Sequence, residues 1–148
     1  MASSGKGEGK VALVTGANKG IGFEIARGLA EHGFTVLIGA RKAEAGAAAA
    51  AELCALGLGV EALTLDVTDA ASVRAAAAEI ESRWGRLDVL VNNAGVSLGK
   101  GSLPSETDPD VMRAVYETNV FGGVAVIQAM LPLLRKADAG RIVNMSTE

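Results

Sequence analysis

Residues 10 to 22, KVALVTGANKGIG, constrain the fold more than any other part of the chain. A short β-branched apolar run closes at Thr15 and Gly16, and Gly20 and Gly22 follow at once. A helical pattern then begins, with Ile21, Ile25 and Leu29 on one face and Gly22, Ala26 and Ala30 beside it. A strand that turns through glycines into a helix start is suited to an anion. The first helical turn offers unpaired N–H groups and about half a positive charge, and glycines let a pyrophosphate approach the backbone. No Gly-Lys-Ser/Thr closes the loop, which excludes a Walker P-loop.

Beyond this unit, strands and helices alternate. The pattern predicts strands over Val11 to Thr15, Thr35 to Ala40, Val60 to Leu65, Leu87 to Val91 and Arg141 to Asn144. Between them it predicts helices over Gly20 to His32, Ala43 to Leu56, Ala70 to Trp84 and Pro109 to Arg135, with Thr68 or Asp69 capping the third. Hydrophobic residues make up 49% of the 148 and aromatic residues only 3%, so the core must be aliphatic, as suits a parallel sheet covered on both faces. Four helical crossovers between five strands predict an α/β, Rossmann-type doubly wound parallel sheet in the order 3-2-1-4-5. Residues 1–9 read as a flexible polar leader, and 10–148 as the N-terminal part of a dinucleotide-binding domain.

Composition narrows the function classes. A net charge of −3 gives no electrostatic case for nucleic acid or an anionic membrane. No uninterrupted apolar run has the length of a membrane span, and the leader has no apolar h-region of a secretory signal, so a cytoplasmic protein is expected. Cys54 can form no internal disulfide and reads as a small packed residue; no metal site is expected.

The spacing Thr15-Gly16-x-x-x-Gly20-x-Gly22 differs from GxGxxG and resembles that of the short-chain dehydrogenase/reductase family, with the resemblance running from residue 10 to 147. It implies NADP(H) as cofactor, with Thr15, Gly16, Asn18, Lys19, Gly20, Ile21 and Gly22 among the residues that bind it. Arg41 follows strand two, where NAD-binding folds usually place an acid against the ribose 2′-hydroxyl. A guanidinium there suits a 2′-phosphate, and Lys19 is a second cation like that of NADP-preferring members; the alternative is two solvated cations. Asp66 and Val67 match the family's adenine contact, although Asp66 can also simply start the next turn. In Asn92-Asn93-Ala94-Gly95 the resemblance makes Asn92 structural and lines the cofactor with Asn93, Ala94 and Gly95.

Two catalytic positions are implied. Asn119, in a helix that Gly122 and Gly123 should kink, matches the residue whose carbonyl holds a water of the proton relay; its bland reading is an exposed helical Asn. Thr147 falls, by register, where members carry the serine that polarises the substrate carbonyl. The family's Tyr-x-x-x-Lys does not occur: the only tyrosine, Tyr116, precedes Val120 by four and reads as packing. The expected function is therefore the N-terminal part of an NADPH-dependent oxidoreductase that reduces a ketone, aldehyde or quinone to an alcohol. The ANKGIG loop and the Gly-Ala-Arg end of strand two resemble the monomeric carbonyl reductase branch. A non-catalytic NADP(H)-binding module and an inert fragment remain the alternatives. A small carbonyl substrate is expected only if the chain continues, and oligomeric state is not legible. Ending at Glu148 is expected to leave Ile142 and Val143 on an open edge and Val124, Ile127 and Leu131 uncovered, favouring aggregation.

Overall fold

A computed structural model describes residues 7–97 and 101–146. In chain order the elements are β1 (Val11–Thr15), α1 (Gly20–Glu31), β2 (Thr35–Ala40), α2 (Ala43–Cys54), β3 (Val60–Thr64), α3 (Ala70–Trp84), β4 (Val89–Asn92), α4 (Pro109–Tyr116), a π-helical segment (Glu117–Gly122), α5 (Gly123–Leu134) and β5 (Arg141–Asn144). The strands form one parallel sheet in the order β3-β2-β1-β4-β5, as the alternating pattern predicts.

The two faces of the sheet carry separate aliphatic cores. On one, Ala12, Val14, Val36 and Ile38 meet Ala26 and Ala30 of α1 and Ala49, Ala50 and Leu53 of α2. On the other, Leu13, Leu37, Leu63 and Leu90 meet Val73, Ala76 and Ile80 of α3 and Val126, Met130, Leu133 and Leu134 of α5. Alanines on α1 and α2 let those helices lie close to the strands, and burial of each large aliphatic side chain on the other face contributes about 1.5–3 kcal/mol.

Several boundaries and environments differ from expectation. β4 starts at Val89 because Leu87 donates its N–H to Leu133 O (3.2 Å) of the α5 end instead. α2 closes at Cys54, where Leu56 and Gly57 turn back onto Leu53 and Cys54, Gly57 at φ +81°. Cys54 is exposed, not packed: it lies beside the buried line of α2, and its Sγ donates to Val60 O (3.1 Å). Tyr116 is 56% exposed rather than packing, because no residue of α4 is buried. The expected leader is already tied down from Gly7, whose N–H donates to His32 O (3.0 Å) and whose Cα faces the Phe34 ring. Arg86, paired with the buried Asp88 carboxylate, also reaches Gly9 O.

Among the described residues β5 pairs only with β4, and Ile142 and Val143 are exposed. Val124 is exposed as well, whereas Ile127 and Leu131 are half-buried, Ile127 against the core on the α5 side. The continuous helix 109–134 contains an 18-residue stretch with a mean hydropathy of 1.3, so by length and composition it is long and apolar enough to cross a membrane. Asp110, Arg113, Glu117, Asn119 and Gln128 interrupt its apolar residues, so no uninterrupted apolar run of that length exists. Its α5 part places Val126, Met130, Leu133 and Leu134 in the core, as an inner helix of a two-faced sheet does.

Candidate functional site

Parallel pairing brings the C-terminal ends of the strands to one edge, with Thr15 level with Gly39, Ala40 with Thr64, and Asn92 with Asn144. β1 lies between β2 and β4, so the chain leaves its two neighbours in opposite directions and opens a crevice there, the usual place for a ligand in such sheets.

The glycine loop lies in that crevice, and each glycine has its own reason. Gly16 has φ +61°, and a Cβ on it would lie 2.8 Å from Ala94 Cα. Gly20 has φ +63° with open space where a side chain would point. Gly22 is buried under the loop, and a Cβ there would lie 2.3 Å from Asn93 Nδ2 and 2.7 Å from Gly16 O. Lys19 occupies the N-cap of α1 in extended conformation, with no side-chain cap, and the first turn contains no acid. The helix start therefore keeps its donors and its positive end for an incoming anion. Ile21, in that turn, is 68% exposed, an apolar side chain at the crevice mouth.

Thr15 and Asn93 serve the loop from within. Thr15 is 1% exposed, and its Oγ1 accepts from Asn93 N (3.0 Å) and Ala94 N (2.9 Å). Asn93 Nδ2 donates to Thr15 O and Gly16 O, both at 3.2 Å. These hydrogen bonds join the ends of β1 and β4, while Asn93 Oδ1 accepts none among the described residues. Asn92 donates to Asn144 Oδ1 (3.0 Å) across β4 and β5, the structural part expected of it.

Arg41 follows β2 directly and is exposed; Ala17 N, which donates to Gly39 O (3.2 Å), holds the glycine loop against that strand end. Among the described residues neither Arg41 nor Lys19 makes an ion pair. Two unpaired cations thus flank the uncapped helix start. Asp66 stands just beyond β3, with Thr68 N (2.9 Å) and Thr68 Oγ1 (2.7 Å) both donating to its Oδ1. The turn-starting part foreseen for it is real, and it occupies only one carboxylate oxygen. Val67 is buried, packed under Gly122 of the π segment.

A cleft of about 370 Å³ continues the crevice between β4, β5 and the long helix. It brings together Thr15, Val67, Asn93, Ala94, Gly95 and Asn119, and adds Val120, Val124, Asn144 and Met145. Around Asn119 the helix is π-helical over Glu117–Gly122, a common irregularity at functional sites. Asn119 Oδ1 accepts from Val96 N (2.8 Å) while its Nδ2 donates to Val96 O (2.9 Å), so this exposed side chain ties the loop after β4 to the helix like a second peptide group. Gly16, Asn18, Lys19, Gly20, Ile21, Gly22, Arg41 and Asp66 lie outside the cleft lining, along the crevice. Thr147 lies outside the described residues. Sequence reading missed Thr68, Ser72, Val96 and Asn144. Strand register alone would have set Asn144 against Asn92, and Asp-x-Thr is a recognisable turn signal.

The sequence model of the family described as short chain dehydrogenase matches residues 10–148. "Short-chain dehydrogenase/reductase 1" of Saponaria officinalis is 40% identical over 99% of this chain, and (-)-isopiperitenone reductase of Mentha piperita is 38% identical over 93%. A metagenomic short-chain oxidoreductase, solved in complex with NADP, superposes with a TM-score of 0.86 at 36% identity over 98% of this chain and 64% of its own. The chain spans about half the length of the curated relatives it matches, 56% for both the Saponaria and the Mentha protein.

Proposed function

The chain belongs to the short-chain dehydrogenase family, and from that premise we propose that it supplies the NADP(H)-binding half of a carbonyl reductase. The observation that carries this reading is the uncapped start of α1 above Gly16, Gly20 and Gly22, beside Lys19 and Arg41, neither of which makes an ion pair among the described residues. A dinucleotide fits this arrangement: its pyrophosphate meets the helix start, and a 2′-phosphate meets Arg41 and Lys19, where an acid would repel it. Asp66 and Val67 face the adenine, and Asn93, Ala94 and Gly95 form the wall beside the ribose. Reduced nicotinamide supplies the hydride for a carbonyl carbon when bound.

The remaining roles belong to protein groups. Asn119 is assigned to the proton relay through its main-chain carbonyl, and Thr147 to the hydroxyl that steadies the forming alkoxide. The proton donor and lysine of the family's Tyr-x-x-x-Lys are not among the 148 residues, so the reduction itself is proposed of a polypeptide that includes them. A binding module that holds NADP(H) without turnover is the second reading, favoured by the same observation. Transcript sequence following the Glu148 codon separates the two.

Titration of NADPH and NADH at low salt into wild type and Arg41→Asp tests the nucleotide reading. One charge-assisted hydrogen bond contributes about 1.5–3 kcal/mol, so wild type should prefer NADPH by about 10- to 150-fold and Arg41→Asp should lose that preference. Equal affinities in wild type would overturn it.

A further inference from the structure

The Asp66 carboxylate is held in a particular way. Thr68 donates to Oδ1 twice, from its main-chain N–H at 2.9 Å and from its hydroxyl at 2.7 Å, and Asp66 N–H is held by Ser72 Oγ at 2.9 Å. Asp69, which caps α3 through Ala71 N and Ser72 N, fixes Ser72 in turn. Among the described residues Oδ2 accepts no hydrogen bond and the Val67 N–H donates none. A carboxyl group has a broad, two-fold torsion about its last bond, so a single donor would leave it free to swing. Two donors converging on one oxygen set its plane.

We propose that Thr68 is a positioning residue that sets the base preference of the nucleotide site. By saturating Oδ1 it presents Oδ2 as an acceptor beside the Val67 N–H donor. An acceptor and a donor on adjacent residues match the 6-amino group and N1 of adenine. Hypoxanthine offers the reverse polarity, a 6-oxo acceptor and an N1–H donor, and meets like against like. The inference rests on the placement of NADP(H) proposed above, and it adds a second layer: the threonine hydroxyl touches no ligand and acts through Asp66.

The test compares NADP+ with nicotinamide hypoxanthine dinucleotide phosphate, by equilibrium binding, for wild type, Thr68→Val, Thr68→Ser and Asp66→Ala. Wild type should prefer the adenine form by about tenfold or more, Thr68→Val should cut that ratio by about fivefold, and Thr68→Ser, which keeps the hydroxyl, should retain it. Asp66→Ala should cut the ratio further, leaving only the Val67 N–H to discriminate. A Thr68→Val protein that weakens both nucleotides equally, or leaves the ratio unchanged, would overturn the proposal, because a role confined to folding cannot tell one base from the other. Full preference in Thr68→Val together with a reduced one in Asp66→Ala would leave the nucleotide reading standing and remove only Thr68. No binding of NADP+ by wild type would remove the nucleotide reading itself. Should Thr68→Val not fold, Thr68→Ala measured against Thr68→Ser isolates the hydroxyl, and an equal ratio in those two would be just as fatal.

Discussion

Replacing Thr15 by valine should damage the protein more than its near-identical shape suggests. The side chain is 1% exposed at the end of β1, and its hydroxyl oxygen accepts from two main-chain donors, Asn93 N at 3.0 Å and Ala94 N at 2.9 Å. Valine fills the same volume, so no cavity forms, but both N–H groups lose their acceptor. Each partly buried orphan costs about 1–3 kcal/mol, which puts Thr15→Val at about 2–6 kcal/mol. That is a large share of a typical 5–15 kcal/mol stability and corresponds to a fall in Tm of about 5–20 °C. Thr15→Ser keeps the oxygen and removes one methyl, at a cost of about 0.5–1.5 kcal/mol. Urea and thermal unfolding followed by circular dichroism give both values. The reasoning fails if Thr15→Val lies within about 0.5 kcal/mol of wild type, or if serine is as harmful as valine.

Gly22→Ala puts a methyl 2.3 Å from Asn93 Nδ2 and 2.7 Å from Gly16 O; it should cost about 1–3 kcal/mol in thermal unfolding and weaken NADPH in a titration, since the loop must lift. Asp69→Ala removes the cap on Ala71 N and Ser72 N and should lower stability by about 0.5–2 kcal/mol in the same melts. Asn119→Ala breaks both hydrogen bonds to Val96, so amide hydrogen exchange at Val96 should accelerate while Val14 in the central strand keeps its protection. The 148 residues, which contain no Tyr-x-x-x-Lys, should show no ketone-dependent NADPH oxidation in a spectrophotometric assay.

The sheet order was legible because its causes are local: an apolar run, a turn and a helical period repeat along the chain, and right-handed crossovers leave few ways to arrange them. The glycine loop was legible for the same reason. Less visible was what side chains do to one another across distant segments. Thr15 and Asn93 read as ligand contacts, and nothing local shows that they also join the ends of β1 and β4, 78 positions apart in sequence. Asn119 read through its carbonyl, and nothing local announces that its amide grips Val96. Tyr116 and Cys54 read as packed because apolar and small residues surround them in sequence. Burial depends on which helical face meets the sheet, and at α4 none does.

Titration of NADPH into the uniformly 15N-labelled protein, followed amide by amide, tests most directly the claim that the strand-end crevice is the nucleotide site. The account predicts shifts concentrated at Gly16, Lys19, Gly20, Ile21, Arg41, Val67 and Gly95, with a smaller response to NADH around Arg41. Shifts confined to the exposed α4 residues Met112 and Tyr116, or none at millimolar NADPH, would contradict it.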